Sequence, residues 1–159
     1  MSVTPNPDEW AVHRSPAWGD RVDFVANAKF DGSGPGTLGC EQLLFQRAGD
    51  GRYRLCCIPF FTYGYSLGDV VTLEDHGEVG LAPGEVVERS DHWSIRVLVT
   101  QDADVTAFRT LLRTHEAEVE MLGRLVACSV VGEERMLDLR RELDQLEREG
   151  VLEYETVWT

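Results

Sequence analysis

The sequence has 159 residues, of which 43% are hydrophobic and 27% charged, with a net charge of −13. A chain of that size and mix buries a real core as one domain and lies far from disordered compositions. The acidic charge leaves no basic face for nucleic-acid phosphates or anionic lipid, and the longest apolar runs, such as Leu55 to Phe61, are too short to span a bilayer.

The charge is spread evenly, with 14 acids against 8 bases in residues 1–101 and 14 against 7 in the remainder. A basic partner would be attracted, although acidity more often serves solubility. Lys29 is the single lysine beside fourteen arginines, a bias that suggests a GC-rich genome such as an actinobacterium's. The N-terminus has neither the basic start nor the apolar stretch of a secretory signal. Cys40, Cys56, Cys57 and Cys128 have no disulfide-framework spacing. A cytoplasmic bacterial protein with reduced thiols is expected.

Residues 1–21, with Pro5, Pro7, Pro16, Trp10 and Trp18, read as an irregular arm packed on the body by its tryptophans. A β-rich section, residues 22–101, follows. Val22, Phe24, Ala26, Ala28 and Phe30 alternate with polar residues as in a half-buried strand. Asp31 to Gly39 is a Gly-rich loop. Glu41 to Gln46 and Arg52 to Ile58 flank Asp50-Gly51, a hairpin turn. Asp69 to Glu74, Val86 to Arg89 and Trp93 to Thr100 read as further strands, with Asp75 to Gly84 a polar loop. Together they predict a small curled sheet or partial barrel.

Residues 102–159 change period. Asp102 or Asp104 can cap a helix whose stripe is Val105, Phe108, Leu111, Leu112, His115, Val119 and Leu122. Leu125 to Val131 is an apolar strand covered on both faces. Glu133 to Glu149 is a helix with Met136, Leu139, Leu143 and Leu146 inward, an outer Asp144–Arg148 pair, and Gly150 as its stop. Val151 to Trp158 closes as a strand. The fold class is α+β: a β-rich N-terminal half continuous with a β-α-β-α-β layer of two helices on a sheet, sharing one core.

The segment Ile58 to Val71 is the most distinctive stretch. Phe60, Phe61, Tyr63 and Tyr65 fall within six positions, preceded by Pro59 and interrupted by Gly64. They either wall a small-molecule or peptide pocket with Ser94, or plug the end of the barrel. His92, Ser94 and Arg96 share one face of a strand beginning near Trp93. With Asp69 to orient a base, His92 and Arg96 are the candidate catalytic or anion-binding groups. The structural alternative is an Asp69–Arg96 ion pair tying neighbouring strands, with His92 exposed at a turn. Cys56 and Cys57 point to opposite faces as buried thiols. The histidines and cysteines lack zinc-ligand spacing, so no metal site and no cofactor are implied. There is no P-loop, dinucleotide fingerprint or nucleophile elbow.

Gly51-Arg52-Tyr53-Arg54-Leu55, Ile58-Pro59-Phe60-Phe61 with Tyr63-Gly64, Ser66, Gly68-Asp69-Val70-Val71, and His92 with Ser94-Ile95-Arg96-Val97 together resemble the bacterial family catalogued as domain of unknown function 4265. The resemblance is clearest over Val22 to Thr100. It implies no activity, because the family has none assigned. Cys56-Cys57 and Asp91 stand where the family pattern has polar residues and a glycine. Two functions remain from the residues themselves. One is a binding or regulatory protein, such as an immunity-type partner of a basic protein. The other is a small enzyme or ligand-binding protein with its pocket near Phe60–Tyr65 and His92–Arg96. An open concavity lined by these segments favours the second.

Overall fold

The computed structural model describes residues 10–31, 38–77, 80–100 and 103–157. The first nine residues of the arm, most of the Gly-rich loop, the Asp102 cap and Trp158 lie outside the described residues.

Six strands form the first sheet: β1 (Trp10–Ala11), β2 (Phe24–Asp31), β3 (Leu38–Arg47), β4 (Tyr53–Leu55), β5 (Val70–Asp75) and β6 (Leu81–Glu88). β3 is its centre, pairing antiparallel with β2 along one side and, on the other, with β1 (parallel) and β4. The turn between β3 and β4 holds Gly49, Asp50 and Gly51 at positive φ, as its Asp-Gly sequence predicts. β6 begins five residues earlier than the loop reading allowed and includes Pro83. Proline is tolerated there because β6 ends the hydrogen-bonded order. Ala26, Ala28, Leu43, Phe45, Leu55 and Val71 fill the concave side, and β2 approaches β6 without pairing. The sheet curls but does not close into a barrel.

The second sheet comprises β7 (His92–Val99), β8 (Glu118–Leu122), β9 (Leu125–Val131) and β10 (Leu152–Val157), in the antiparallel order β10-β7-β9-β8. Helices α1 (Val105–Thr114) and α2 (Glu133–Arg148) follow β7 and β9. This is a β-α-β-β-α-β unit of ferredoxin-like order. It contains the expected two helices on a sheet and one strand more. The helix stripe was expected to run to Leu122, but α1 stops at Thr114. Glu116 takes a left-handed φ of 55°, and Glu118 to Leu122 then alternate as a strand. Asp104 caps α1 by accepting from the N–H groups of Thr106 and Ala107. The predicted Asp144–Arg148 pair is not formed: Asp144 accepts from the Tyr154 hydroxyl, and Arg148 donates to Gln145.

Both helices pack on one face of this sheet, where Ile95, Val97, Val126, Cys128 and Val130 meet Phe108, Leu112, Met136, Leu139 and Leu143. The opposite face is mostly polar and is set by register. One cross-strand row reads Glu155, Arg96, Ala127, Glu120, and the next reads Val157, Ser94, Ser129, Glu118. This face meets the segment between β4 and β5, where Ile58, Phe60 and Leu67 close around Ala127.

Leu143 is fully buried at the centre of α2. Leu143→Ala should lower unfolding free energy by about 2–5 kcal/mol in a urea titration. A loss below about 0.5 kcal/mol, typical of surface sites, would place α2 on the wrong face.

Candidate functional site

The segment from Ile58 to Thr62 is irregular, so its backbone N–H groups need partners from elsewhere. Two buried carboxylates supply them. Ile58 N–H donates to Glu120 Oε2 at 2.5 Å. Phe60 N–H donates to Glu41 Oε1 at 2.5 Å, and Phe61 and Thr62 N–H donate to Glu41 Oε2 at 3.0 and 2.8 Å. The Thr62 hydroxyl adds a bond of 2.7 Å to the same oxygen. Pro59, which has no N–H, occupies the position between the two carboxylates' clients.

The carboxylates in turn share His13. Its Nδ1 lies 2.7 Å from Glu120 Oε1 and its Nε2 lies 2.9 Å from Glu41 Oε1. An ionised carboxylate only accepts, so both ring nitrogens carry hydrogen and the ring is an imidazolium. β1 delivers it: Ala11 pairs with Glu41 in register, and His13 follows two residues later. Phe60 stacks on the ring at 4.6 Å. Burial by itself would lower the His13 pKa, but its contacts with Cys57, Glu120 and Glu41 outweigh that and push it up to about 12. Burial likewise favours neutral Glu41, yet its bonds to His13, Thr62 and Phe60 hold its pKa below the ordinary value.

On the other side of Phe60 the same segment opens onto a cleft of about 640 Å³, lined by Lys29, Phe30, Phe61, Tyr63, Arg96 and Glu155, with Phe60, Thr62 and Leu125 completing it. The Arg96 guanidinium lies 4.4 Å above the Tyr63 ring. Its Nη2 donates to the Thr62 carbonyl and its Nη1 lies 3.7 Å from Glu155 Oε1. Arg96 is 4% exposed, and its Nε has no hydrogen-bond partner among the described residues. Burial lowers the Arg96 pKa, with Glu41, Tyr63 and Glu155 opposing it. The Tyr63 hydroxyl donates to Glu155 at 2.8 Å, and the residue is 60% exposed. Phe30 stacks on Phe61 at 4.5 Å. That stack depends on Gly39, which pairs opposite Phe30 in β3: a Cβ there would fall 2.3 Å from the Phe30 ring.

The sequence candidates therefore separate. Phe60, Phe61, Tyr63 and Arg96 line one cleft; Tyr65, Asp69, His92 and Ser94 do not. Tyr65 packs into the first sheet's core and donates to the carbonyls of Pro83 and Gly84. Asp69 is fully buried and pairs with Arg89 at 3.0 Å, while accepting from Ser66 and Ser90 N–H. The alternative Asp69–Arg96 pair does not form, because β5 and β7 belong to different sheets. His92 packs edge-on against Trp18 at 5.3 Å, with Nδ1 3.0 Å from Ser129 Oγ. Burial lowers its pKa against Glu118, Asp91 and Asp69. Ser94 Oγ is buried without a partner among the described residues. Cys57 is buried beside His13, its thiol pKa raised by burial. No group of three or more His, Cys, Asp and Glu among the described residues is arranged to hold a metal ion, and no described helix is long and apolar enough to cross a membrane.

The molecule is an α+β protein whose two sheets meet at a buried charge cluster beside an open aromatic cleft. It belongs to the family described as Domain of unknown function (DUF4265), whose model matches residues 41–154. That span contains Glu41, Ile58 to Tyr63, Arg96 and Glu120, and leaves out His13 and Glu155. Among solved structures the chain is similar to a hypothetical protein from Neisseria gonorrhoeae, with a TM-score of 0.70 and 18% identity, covering 85% of this chain and 95% of that one. At that identity the likeness is one of fold. No curated protein matches the chain.

A histidine with a raised folded pKa stabilises fully below its unfolded value, and that stability is lost as pH rises toward the folded one. The window here runs upward from about 6.5. Between pH 7 and 8, below the main thiol titration, unfolding free energy should fall by about 1 kcal/mol through this one proton. Urea midpoints at the two pH values test this, and a flat or rising profile would mean His13 is neutral in the fold.

Proposed function

We propose that this protein binds a small organic anion, with the anionic group at Arg96 and an apolar or aromatic body between Tyr63 and the Phe30–Phe61 stack. The observation that carries the reading is Arg96 itself. It is a buried guanidinium 4.4 Å over the Tyr63 ring, with Nη1 3.7 Å from Glu155, on the wall of a cleft of about 640 Å³. Such a size and mixture of aromatic walls with few polar groups suits a small-molecule site. A planar fork of donors suits a carboxylate. Lys29 adds a second cation at this cleft in a chain of net charge −13, which favours an anion locally.

The concavity supports a ligand-binding protein over an immunity-type partner of a basic protein, for which the acidic charge, the small size and the family without an assigned activity speak. His92 and Asp69 stand outside the cleft, so the reading is binding, with neither of these two groups at the ligand. Four buried cysteines without a disulfide support a reducing bacterial cytoplasm, and the arginine bias supports an actinobacterial origin.

Calorimetric titration of the full chain with a panel of aromatic carboxylates tests the site. At least one should bind, and Arg96→Met should weaken it by about tenfold or more, the size of one charge-assisted contact. Because Arg96 also holds the Thr62 carbonyl, exposed Tyr63→Ala is the companion variant and should weaken binding in an unchanged fold. Absence of binding across the panel, or wild-type affinity in both variants, would overturn the reading.

A further inference from the structure

The cleft is not uniformly cationic. Glu155 stands in it next to Arg96, and the two are direct cross-strand partners in the β10–β7 register. The backbone ladder therefore fixes opposite charges side by side, with Nη1 and Oε1 3.7 Å apart. That is longer than a made charge-assisted hydrogen bond, so neither group is saturated by the other. Glu155 is anchored by the Tyr63 hydroxyl at 2.8 Å, yet its side chain is half exposed. It keeps lone pairs for a further donor.

From this pair we infer that the ligand is an α-amino acid with an aromatic side chain, its carboxylate on Arg96 and its ammonium on Glu155. The inference rests on the anion-binding reading and narrows it. A bare carboxylate binds Arg96 but is weakened by the Glu155 charge beside it. A bare amine at Glu155 is weakened by Arg96 in the same way. A ligand that satisfies both needs its two charges on neighbouring groups, because the protein's own two charges are neighbours. Carboxylate and ammonium attached to one carbon meet that condition. The two ends of a dipeptide, separated by a peptide unit, do not.

The remaining surface selects the side chain. Beside Arg96 and Glu155, the cleft is lined by the exposed Tyr63, the stacked Phe30 and Phe61, Leu125 and Phe60. Offset or edge contacts with a third aromatic ring suit such walls. Gly39 preserves this by leaving room for the Phe30 ring.

The test is a calorimetric comparison on the full chain. Phenylalanine, tyrosine and tryptophan are each titrated beside the matching carboxylate that lacks the amino group, and beside the dipeptide glycyl-phenylalanine. An aromatic amino acid should bind tighter than its des-amino counterpart by about tenfold or more. Glu155→Gln, which keeps an acceptor for Tyr63, should erase that difference without weakening the des-amino compound. If the des-amino carboxylates bind as tightly as the amino acids, or the dipeptide binds better than phenylalanine, the inference fails while the anion site stands. The same holds if Glu155→Gln leaves the amino-acid preference intact. If none of these compounds binds, the inference and the anion site fall together.

Discussion

Two glutamates from different sheets, Glu41 on β3 and Glu120 on β8, are held together in the interior by a single histidine ring. Without it two like charges would face each other in a medium that screens poorly. With it, the pair accepts four consecutive available N–H groups of the Ile58–Thr62 backbone. Those donors would otherwise be orphaned, at a cost of about 1–3 kcal/mol each. The conformation of the aromatic segment is therefore imposed by charges that belong to neither the segment nor its neighbours in sequence. Removing one member of such a cluster leaves an uncompensated buried charge, which is why it acts as a fastening between the two halves.

The cleft is a consequence of that fastening. Phe60 is drawn inward onto the His13 ring, which turns Phe61 and Tyr63 toward the opposite side. Thr62 is bound through its N–H and hydroxyl to Glu41 and through its carbonyl to Arg96. One residue thus joins the buried cluster to the cleft wall. The second sheet contributes through register: Glu155, Arg96, Ala127 and Glu120 form one row across four strands. At one end of that row a glutamate grips the histidine, and at the other a glutamate and an arginine line the cleft. The alanine between them gives Ile58 and Phe60 room to seat.

Much of this architecture was legible because it rests on local rules. The Asp50-Gly51 turn, the apolar β9 and the stripe of α2 follow from positive-φ residues and from periods of two and 3.6, and the motifs between Gly51 and Val97 pointed to the right family. β8 was lost because Val119 and Leu122 fit the helix period that starts at Val105. The competing signal, Glu118-Val119-Glu120-Met121 in strict alternation before a Gly123 turn, was present but short. The Asp69–Arg96 pairing assumed that sequential strands lie in one sheet, whereas the chain changes sheets between β6 and β7. His13 was invisible for a different reason. Its partners lie 28 and 107 positions away, and only folding brings them together. One hint existed: Glu41 occupies the same face of its strand as Leu43 and Phe45, where a lone carboxylate needs an explanation.

The protonation state of His13 is the most direct measure of whether this charge cluster organises the site. Nitrogen-15 NMR of the imidazole resolves it, because an imidazolium shows two similar protonated nitrogens and a neutral ring shows two distinct ones. The His13 ring should display the imidazolium pattern at pH 8 with no change down to pH 6. A neutral pattern at pH 8, or a titration with a midpoint at about 6.5 like that of a free histidine, would contradict the account.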